Sequence, residues 1–238
     1  SSFQGSWRGN NKMLLHEFIV KRGLPHVDTL TAGSPDEVRR ATHELARRGY
    51  TAAALKAQIG ASGIGIVKLE RVGQDVVLPP IASNLFFEGP CLVQGWLGPG
   101  TLGVTRLHSP SVQMFLDEQS VHLYDMTEQI LSRQSVHEGN VSPPPYLAQW
   151  PGLRRELLRQ AGEVGRWLHE QGYRGTASAD FLLAEREGRA MPDVYVCEIN
   201  ARVTCATYPA VLARRFTPRG AWLMRNVRLP KPMTGDAL

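Results

Sequence analysis

The sequence predicts an α+β fold made of two lobes. The predicted elements run as two helices, a set of strands, further strands, a long helix, a strand pair and terminal helices. Strands and helices therefore do not alternate one by one, as they do in a doubly wound parallel sheet. At 238 residues the chain is long enough for one large domain or for two small lobes, each with a core.

Composition and charge are those of a folded globular chain. Hydrophobic residues make up 42% and charged residues 21% of the sequence, which excludes disordered, coiled-coil and collagen-like chains. No apolar run reaches the ~18 residues of a membrane span, and residues 1–10 contain no signal peptide, so we expect no membrane partner. The net charge of +5 favours anionic ligands such as nucleotides. Because no basic cluster alternates with aromatic residues, we expect no nucleic-acid partner.

The cysteines indicate a reducing compartment. The sequence has three cysteines, Cys91, Cys197 and Cys205. Their number is odd, no two of them form a CxxC motif, and each lies in apolar sequence surroundings. Buried free thiols are typical of such cysteines, so the sequence predicts a cytoplasmic protein without disulfides.

The first elements are defined by their start and stop signals. Residues 1–10 are rich in Ser, Gly and Asn and predict a loop. Residues 13–22 predict a helix. A second helix begins at Ser34, which is its N-cap, with Pro35 in the first turn and Glu37 completing a capping box.

The remaining elements follow from hydrophobic periodicity and turn residues. Strands are predicted at 51–56, 64–71, 90–97, 111–117, 120–127, 177–183 and 194–200, and helices at 153–171, 208–216 and 221–228. Residues 132–150, which include three consecutive prolines, predict a long loop, and a loop of this length is often functional.

The hairpin between the first two strands turns on glycines. Gly60, Gly63 and Gly65 match neither the dinucleotide-binding fingerprint nor the P-loop. Small residues nevertheless let backbone N–H groups approach phosphate oxygens, Ser62 adds a hydroxyl donor, and Lys56 brings an ammonium to the end of a strand. The alternative interpretation is an ordinary hairpin turn with a surface lysine.

Two later strands carry polar residues in apolar surroundings. Glu198 and Asn200 alternate on one strand and share a face, with Cys197 on the other face, and Asp180 lies within the neighbouring strand. Oxygen ligands of this kind suit magnesium, which relieves the cost of burying carboxylates. The alternative is a buried salt bridge to an arginine such as Arg202. The guanidinium of Arg202 is equally suited to bind a phosphoryl group.

The apolar strand that runs into Gly95 is a candidate site for a base. Its end is expected to present free backbone N–H and C=O groups, with Trp96 lining the base pocket. The alternative is a core strand that ends in a turn.

Taken in chain order, these motifs resemble the ATP-grasp superfamily, which includes D-alanine–D-alanine ligase, biotin carboxylase and peptide-forming amino-acid ligases. The most similar stretch is 194–204, and the similarity extends from residue 11 to about residue 228. The resemblance implies an ATP-grasp fold with the nucleotide between a lid lobe at 11–94 and a larger lobe at 95–238. It also implies that the N-terminal domain of other members is absent here. We therefore expect that domain to be supplied elsewhere, or the chain to form a homodimer.

The resemblance also implies roles for single residues. Lys56 would contact the nucleotide phosphates and the 60–65 turn would close over them. Gln94, Gly95, Trp96 and Leu97 would hold adenine, and Asp180, Glu198 and Asn200 would bind Mg²⁺. Arg202 would steady the acyl phosphate or the tetrahedral species that follows it.

The function that the resemblance implies is an ATP- and magnesium-dependent ligase of a small-molecule carboxylate and an amine, acting through an acyl phosphate. An ATP-grasp kinase and a catalytically inactive nucleotide-binding domain are the alternatives, because function is decided by the site and not by the fold.

Overall fold

A computed structural model describes residues 2–60, 65–73, 76–132 and 136–226 of the chain. Two N-terminal helices, α1 (Phe3–Gly9) and α2 (Lys12–Lys21), lead into a small sheet and its covering helix α3 (Pro35–Arg47). The small sheet is wholly antiparallel, with the order β1–β4–β2–β3. Its strands are β1 (Thr29–Ala32), β2 (Ala53–Lys56), β3 (Ile66–Leu69) and β4 (Cys91–Gly95), with a 3₁₀ turn at Pro80–Phe86 before the last of them.

The second half of the chain forms a larger antiparallel sheet of seven strands. They are β5 (Val104–His108), β6 (Pro110–Leu116), β7 (Val121–Leu131), β8 (His137–Ser142), β9 (Gly175–Arg186), β10 (Asp193–Asn200) and β11 (Trp222–Arg225). The order is β10–β9–β6–β7–β8–β11, with β5 paired to β9. The helices of this half are α4 (Leu153–Glu170) and α5 (Thr207–Phe216). The predicted α+β class is confirmed, and the strands form two separate sheets.

Two hydrophobic cores correspond to the two sheets. In the larger core, α4 packs against β6, β7, β9 and β10, and the buried face of α2 joins it through Leu15, Phe18 and Ile19. The smaller core lies under α3 and is centred on Val38, Leu45, Leu55 and Val93. Burial of these side chains is the main stabilising contribution. The division into a leader at 1–10 and lobes at 11–94 and 95–238 stays a prediction.

Most helix and strand predictions match the structure, including the start of α3. Ser34 Oγ accepts a hydrogen bond from the N–H of Glu37 at 3.3 Å, as an N-cap does. The Glu37 carboxylate accepts from the N–H of Gly33 at 2.6 Å, one residue before the position that a capping box requires.

Three local predictions are wrong. Within the predicted loop at 1–10, Phe3–Gly9 form helix α1, because Gly5 and Gly9 serve as close-packing positions: a Cβ on Gly5 would lie 2.6 Å from the Gly172 carbonyl carbon. The loop predicted at 132–150 contains β8, and the helix predicted at 221–228 contains the edge strand β11, paired to β8. Strand pairing overrode the local pattern in both cases, since β8 lies between β7 and β11 and β11 pairs with β8.

The cysteines are free, but they differ in exposure. Cys91 is buried as expected, Cys197 is half-buried and Cys205 is exposed, so the expectation of burial is wrong for Cys205. In the described part of the chain, no helix has the length and apolar character needed to cross a membrane.

Candidate functional site

The predicted metal-binding residues meet on the face of the larger sheet that points away from α4. Strand register places Asp180 of β9 directly opposite Glu198 of β10, and opposite Ser111 of β6 on its other side. Strand alternation explains this face, because Ala179 and Phe181 fill the core while Asp180 and Leu182 point the other way. Two carboxylates are therefore neighbours across one strand pair.

Asp180 is held by hydrogen bonds from neutral groups. Ser111 Oγ donates to its Oδ1 at 2.7 Å, Asn200 Nδ2 donates to its Oδ2 at 2.9 Å, and Ser178 Oγ adds a longer contact at 3.4 Å. Burial raises the pKa of Asp180 to about 6, and the neighbouring Glu198 charge adds to the rise against the hydrogen bonds. Within the described residues no Lys or Arg lies within 4.0 Å of this carboxylate.

Asn200 and Arg202 continue this polar network. The guanidinium of Arg202 donates to Asn200 Oδ1 at 2.6 Å, so a metal ion bound by that oxygen would compete with Arg202 for it. Gln113 Nε2 donates to Ser111 Oγ at 2.8 Å, and Thr204 Oγ1 donates to Gln113 Oε1 at 3.3 Å.

Ser111, Gln113, Ser178 and Thr204 were not predicted as site residues. A signal for two of them was present, since Ser111 and Gln113 alternate with apolar residues along β6 and share the face of Asp180.

Lys12 is the most important residue that sequence reasoning missed. Its ammonium lies 2.8 Å from Glu198 Oε1 and donates to the carbonyl oxygen of Gly60 at 3.0 Å, while the side chain is only 6% exposed. One buried cation thus joins β10 to the start of the glycine turn. The predicted alternative of a salt bridge at Glu198 is present, with Lys12 as the partner in place of Arg202. The available signal was the position of Lys12 on the apolar face of α2, in register with Leu15 and Ile19.

A β-bulge between Val196 and Glu198 changes the predicted faces of β10. Val196 and Ile199 enter the larger core, but Cys197 does not, and it lines a small cavity together with Lys12 and Lys56. The expectation that Cys197 lies on the opposite face from Glu198 is therefore wrong. Burial raises the pKa of the Cys197 thiol to about 11, which keeps it protonated near neutral pH.

Lys56 and Gln94 are paired with each other in the small sheet. Lys56 Nζ donates to Gln94 Oε1 at 2.7 Å, and Gln94 Nε2 donates to Thr29 Oγ1 at 2.9 Å. Burial lowers the pKa of Lys56, an effect opposed by Cys197 and Glu198. The cavity that these side chains line has a volume of only about 20 Å³, room for about one water molecule.

The glycine turn is described at its two ends. Ala57 N–H donates to the Gly65 carbonyl at 2.8 Å, and Gly65 has a φ of +80°, which favours glycine. Ser62 and Gly63 lie outside the described residues, so their predicted contacts with phosphate stay predictions.

The segment after β4 differs from its prediction. The N–H groups of Gly95 and Trp96 donate to the carbonyls of Asp28 and Ala52, at 2.9 and 3.0 Å. The expectation of free N–H groups is wrong at these two residues, because neighbouring chain segments satisfy them. Gly95 is constrained by packing, since a Cβ there would lie 2.3 Å from the Tyr50 ring. Leu97 is buried in the smaller core, and Lys68 lies over the Trp96 ring at 5.1 Å.

The donor set fits a hard divalent cation. It consists of the half-buried Asp180 carboxylate, the Glu198 carboxylate opposite and the amide oxygen of the buried Asn200. Mg²⁺ takes oxygen ligands of this type, and a cation there would offset the burial that raises the pKa of Asp180. The described residues contain no cluster of three or more His, Cys, Asp or Glu side chains, so a ligand shell would need the amide, substrate oxygens or water to complete it.

The architecture described here is the ATP-grasp fold, as comparison with solved structures shows. A biotin carboxylase from Campylobacter jejuni matches 89% of this chain and 44% of its own, with a TM-score of 0.67 and 15% identity. D-alanyl-alanine synthetase A from Vibrio cholerae matches 90% of this chain and 62% of its own, with a TM-score of 0.60 and 16% identity. The predicted resemblance to the ATP-grasp superfamily is confirmed.

Two further comparisons bear on particular proteins. A curated relative from Niallia circulans, the [butirosin acyl-carrier protein]–L-glutamate ligase, is 29% identical over 209 residues. That match covers 87% of this chain and 46% of the relative, so the chain spans about half the length of the relative. An N5-carboxyaminoimidazole synthase from Aspergillus clavatus, solved with ADP, is 17% identical with a TM-score of 0.56, over 89% of this chain and 49% of its own. No family model matches the chain.

Proposed function

We propose that this chain is the core of an ATP- and magnesium-dependent ligase that joins a carboxylate to an amine through an acyl phosphate. One observation carries the proposal. Asp180 and Glu198 face each other across β9 and β10, and Lys12 connects Glu198 to the glycine turn. Paired carboxylates beside buried cations suit a metal–polyphosphate complex, in which both signs of charge are neutralised.

Asp180, Glu198 and Asn200 are the residues we propose to hold Mg²⁺. The bound ion supplies charge neutralisation on the phosphate oxygens. Ser111 and Ser178 keep the Asp180 carboxylate oriented, because their hydroxyls donate to one of its oxygens. Neutral donors can perform this task without competing with the ion for charge.

Lys12 and Lys56 are the cations we propose for the nucleotide phosphates, together with the turn at 60–65. Both lysines line the cavity beside β10, and their burial strengthens electrostatic attraction to an anion. Adenine binding by Gln94, Gly95, Trp96 and Leu97 remains part of the proposal. Because two backbone N–H groups of that segment are already paired, recognition there depends on carbonyl groups and side chains.

The chemistry is phosphoryl transfer followed by acyl transfer. A carboxylate oxygen of the substrate attacks the γ-phosphorus, the bond to ADP breaks, and an acyl phosphate forms. The amine then attacks the acyl carbon, loses a proton, and phosphate leaves with the former carboxylate oxygen. We propose that Arg202 holds the oxyanion of the tetrahedral species, because its guanidinium lies beside Asn200 and has further N–H donors.

The substrates we propose are an amino-acid carboxylate and an amine acceptor. The curated relative is named for L-glutamate and an acyl-carrier protein, which supports an amino acid as donor and allows a carrier-borne acceptor. We place the reaction in the cytoplasm, where free cysteines such as Cys91 and Cys197 are normal. A homodimer is proposed by analogy with the biotin carboxylase neighbours, one of which was solved as a dimer.

Trapping of the acyl phosphate tests this function. The chain is incubated with ATP, Mg²⁺, hydroxylamine and each amino acid in turn, starting with L-glutamate. The proposal predicts an amino-acid hydroxamate in equal amount to the ADP formed, and loss of both products in Glu198→Gln. Glu163→Gln, a similarly exposed ion-paired glutamate on α4, is the control and retains both.

Two other results would point to different functions. A stable phosphorylated product without hydroxamate would favour an ATP-grasp kinase. Nucleotide binding without ATP consumption would favour a catalytically inactive nucleotide-binding domain. Either result contradicts the ligase proposal.

A further inference from the structure

Helix α5 carries an apolar stripe on its outer side. Tyr208, Val211, Leu212 and Phe216 recur at i, i+3, i+4 and i+8 and are 68%, 57%, 56% and 73% exposed. The inward side of the helix buries only Thr207 and Ala210 among its residues. Single exposed apolar residues are ordinary, but a contiguous stripe indicates an interaction surface. We call these four residues the α5 stripe.

The stripe lies in an arginine-rich segment without acidic residues. Residues 199–226 contain five arginines and no Asp, Glu or Lys, so this segment has a net charge of +5. The whole chain, with 27 basic and 22 acidic residues, has the same net charge of +5. All five are exposed: Arg202, Arg214, Arg215, Arg219 and Arg225. Arg225 lies 3.7 Å from Glu138. Arg215 and Arg219 have no carboxylate within 4.0 Å among the residues that the structure describes.

The α5 stripe begins next to the candidate site. Arg202 donates to Asn200 at the end of β10, and Thr204 donates to Gln113 on β6, so the loop that leads into α5 is fixed to the site network. Thr207, the first residue of α5, accepts from the N–H of Thr204 at 3.0 Å. A molecule bound to the stripe therefore lies beside the end of the metal-binding strand.

We propose that the α5 stripe and its arginines dock an acidic protein domain that carries the acceptor group of the reaction on its surface. The inference rests on the proposed ligase function. Apolar contacts at the centre with charges at the rim are the usual composition of such an interface, and the rim charges steer association. Docking at α5 would bring a tethered acceptor to Arg202.

Charge argues against a second copy of this chain as the occupant. A two-fold interface pairs the same patch with itself, so five arginines would face five arginines. The aliphatic residues Val211 and Leu212 argue against nucleic acid, which is bound mainly through its phosphates and stacked bases. An anionic membrane would satisfy both apolar and basic groups, and it is one outcome of the test.

The test uses purified phosphopantetheinylated butirosin acyl-carrier protein as the probe and calorimetry as the readout. We expect binding that weakens with added salt. Arg215→Glu/Arg219→Glu should weaken it at least about tenfold, and Val211→Ser/Leu212→Ser should do the same. Arg154→Glu/Arg155→Glu is the matched control, because it makes the same charge change at exposed residues of α4 and should leave the dissociation constant unchanged.

Several results would overturn the proposal. They are no binding by the unmodified chain, equal binding by all variants, or self-association that Val211→Ser/Leu212→Ser abolishes. Binding to vesicles of anionic lipid but not to the carrier protein would assign the stripe to a membrane instead. Nucleotide binding and hydroxamate formation from a free amino acid are measured on the same samples. Loss of those two signals in the unmodified chain contradicts the ligase function, whereas loss of carrier binding alone contradicts only the docking surface.

Discussion

At the scale of single residues, the candidate site is organised by how each buried charge is compensated. Glu198 is paired with Lys12, whereas Asp180 is surrounded by hydroxyl and amide donors that carry no charge. Leaving a buried charge without a partner costs several kcal/mol, on the order of 3–5 kcal/mol when one partner of a pair is removed. This asymmetry supports the proposal that Asp180 needs a bound cation, whereas Lys12 links Glu198 to Gly60.

Replacing Lys12 tests that link. We expect Lys12→Met to weaken ATP binding at least about tenfold, because it removes a buried positive charge next to the glycine turn. Calorimetric titration with ATP and Mg²⁺ measures the change. Lys21→Met removes an exposed lysine from the last turn of the same helix and is the control. Equal ATP affinities for the two variants would show that Lys12 only stabilises the fold.

Two glutamates are expected to change stability with pH in opposite directions. Burial raises the pKa of Glu128, whose carboxylate accepts from Tyr146 at 2.5 Å and from the N–H of Ser109 at 2.9 Å. The pKa of Glu156 is lowered, mainly by its hydrogen bond from Arg159. The unfolded reference for both is 4.5.

The direction in which stability changes with pH depends on whether the folded or the unfolded chain binds more protons. The stability contributed by Glu128 is present below pH 4.5 and is lost as the pH rises through its raised value in the folded chain. The contribution of Glu156 is present above pH 4.5 and is lost as the pH falls through its lowered value. Urea unfolding of wild type, Glu128→Gln and Glu156→Gln across this range measures both. For each variant, the difference in unfolding free energy from wild type is followed against pH. If that difference changed with pH in the same direction for both variants, the assignment would be contradicted.

Some residues of the candidate site can be predicted from sequence patterns, and others cannot. Asp180, Glu198 and Asn200 were predictable because a polar residue inside an apolar strand has few explanations. Lys12 was not recognised, because its role depends on the contact of α2 with the glycine turn and β10, which are distant in sequence. The bulge at Cys197 was missed for a similar reason, since strict alternation gives no sign of an extra residue.

At the scale of elements, glycines decide how closely segments approach. Gly95 lies at the end of β4 against the Tyr50 ring. We expect Gly95→Ala to lower the free energy of unfolding by about 1–3 kcal/mol, the usual cost of overpacking a core. Gly98→Ala is the matched control, because its nearest contact would be an ordinary 3.9 Å from Trp96. If thermal unfolding shows equal midpoints for the two variants, packing is not what requires glycine at position 95.

Elements were predicted best where their own residues determine them. The helix α3 was predicted from Ser34 and Pro35, and α4 from its long apolar periodicity, because caps and periodicity are local signals. The strands β8 and β11 were not predicted, since the edge strand β11 depends on a partner at least eighty residues away and β8 lies between β11 and β7. The helix α1 was mistaken for a loop because its glycines serve packing and not flexibility.

At the scale of the whole molecule, the two sheets meet around a very small cavity. Lys12, Lys56 and Gln94 line it from the N-terminal half and Cys197 from β10, with room for about one water molecule. ATP is far larger, so the proposed nucleotide binding implies that the structure opens at this cavity. Movement of this kind is usual for enzymes that exclude water from phosphoryl transfer.

The opening that nucleotide binding would require can be tested by hydrogen exchange. With ATP and Mg²⁺ bound, we expect slower exchange in β2, in β4 and in the segment that follows Asn200, because these surround the cavity and the metal ligands. The control is α4, whose buried face packs in the larger core and whose exchange should not change. Protection that extends equally to α4 would indicate general stabilisation without a defined nucleotide site.

The central claim is that Asp180 and Glu198 form a magnesium–nucleotide site, and the most direct measurement is ATP affinity with and without Mg²⁺. Calorimetry is performed on the unmodified chain, on Glu198→Gln and on Glu163→Gln, whose glutamates have nearly equal exposure, 28% and 26%. The account predicts magnesium-dependent binding in the unmodified chain and in Glu163→Gln, and at least about tenfold weaker binding in Glu198→Gln. Equal affinity in all three proteins, or binding that ignores Mg²⁺, would contradict it.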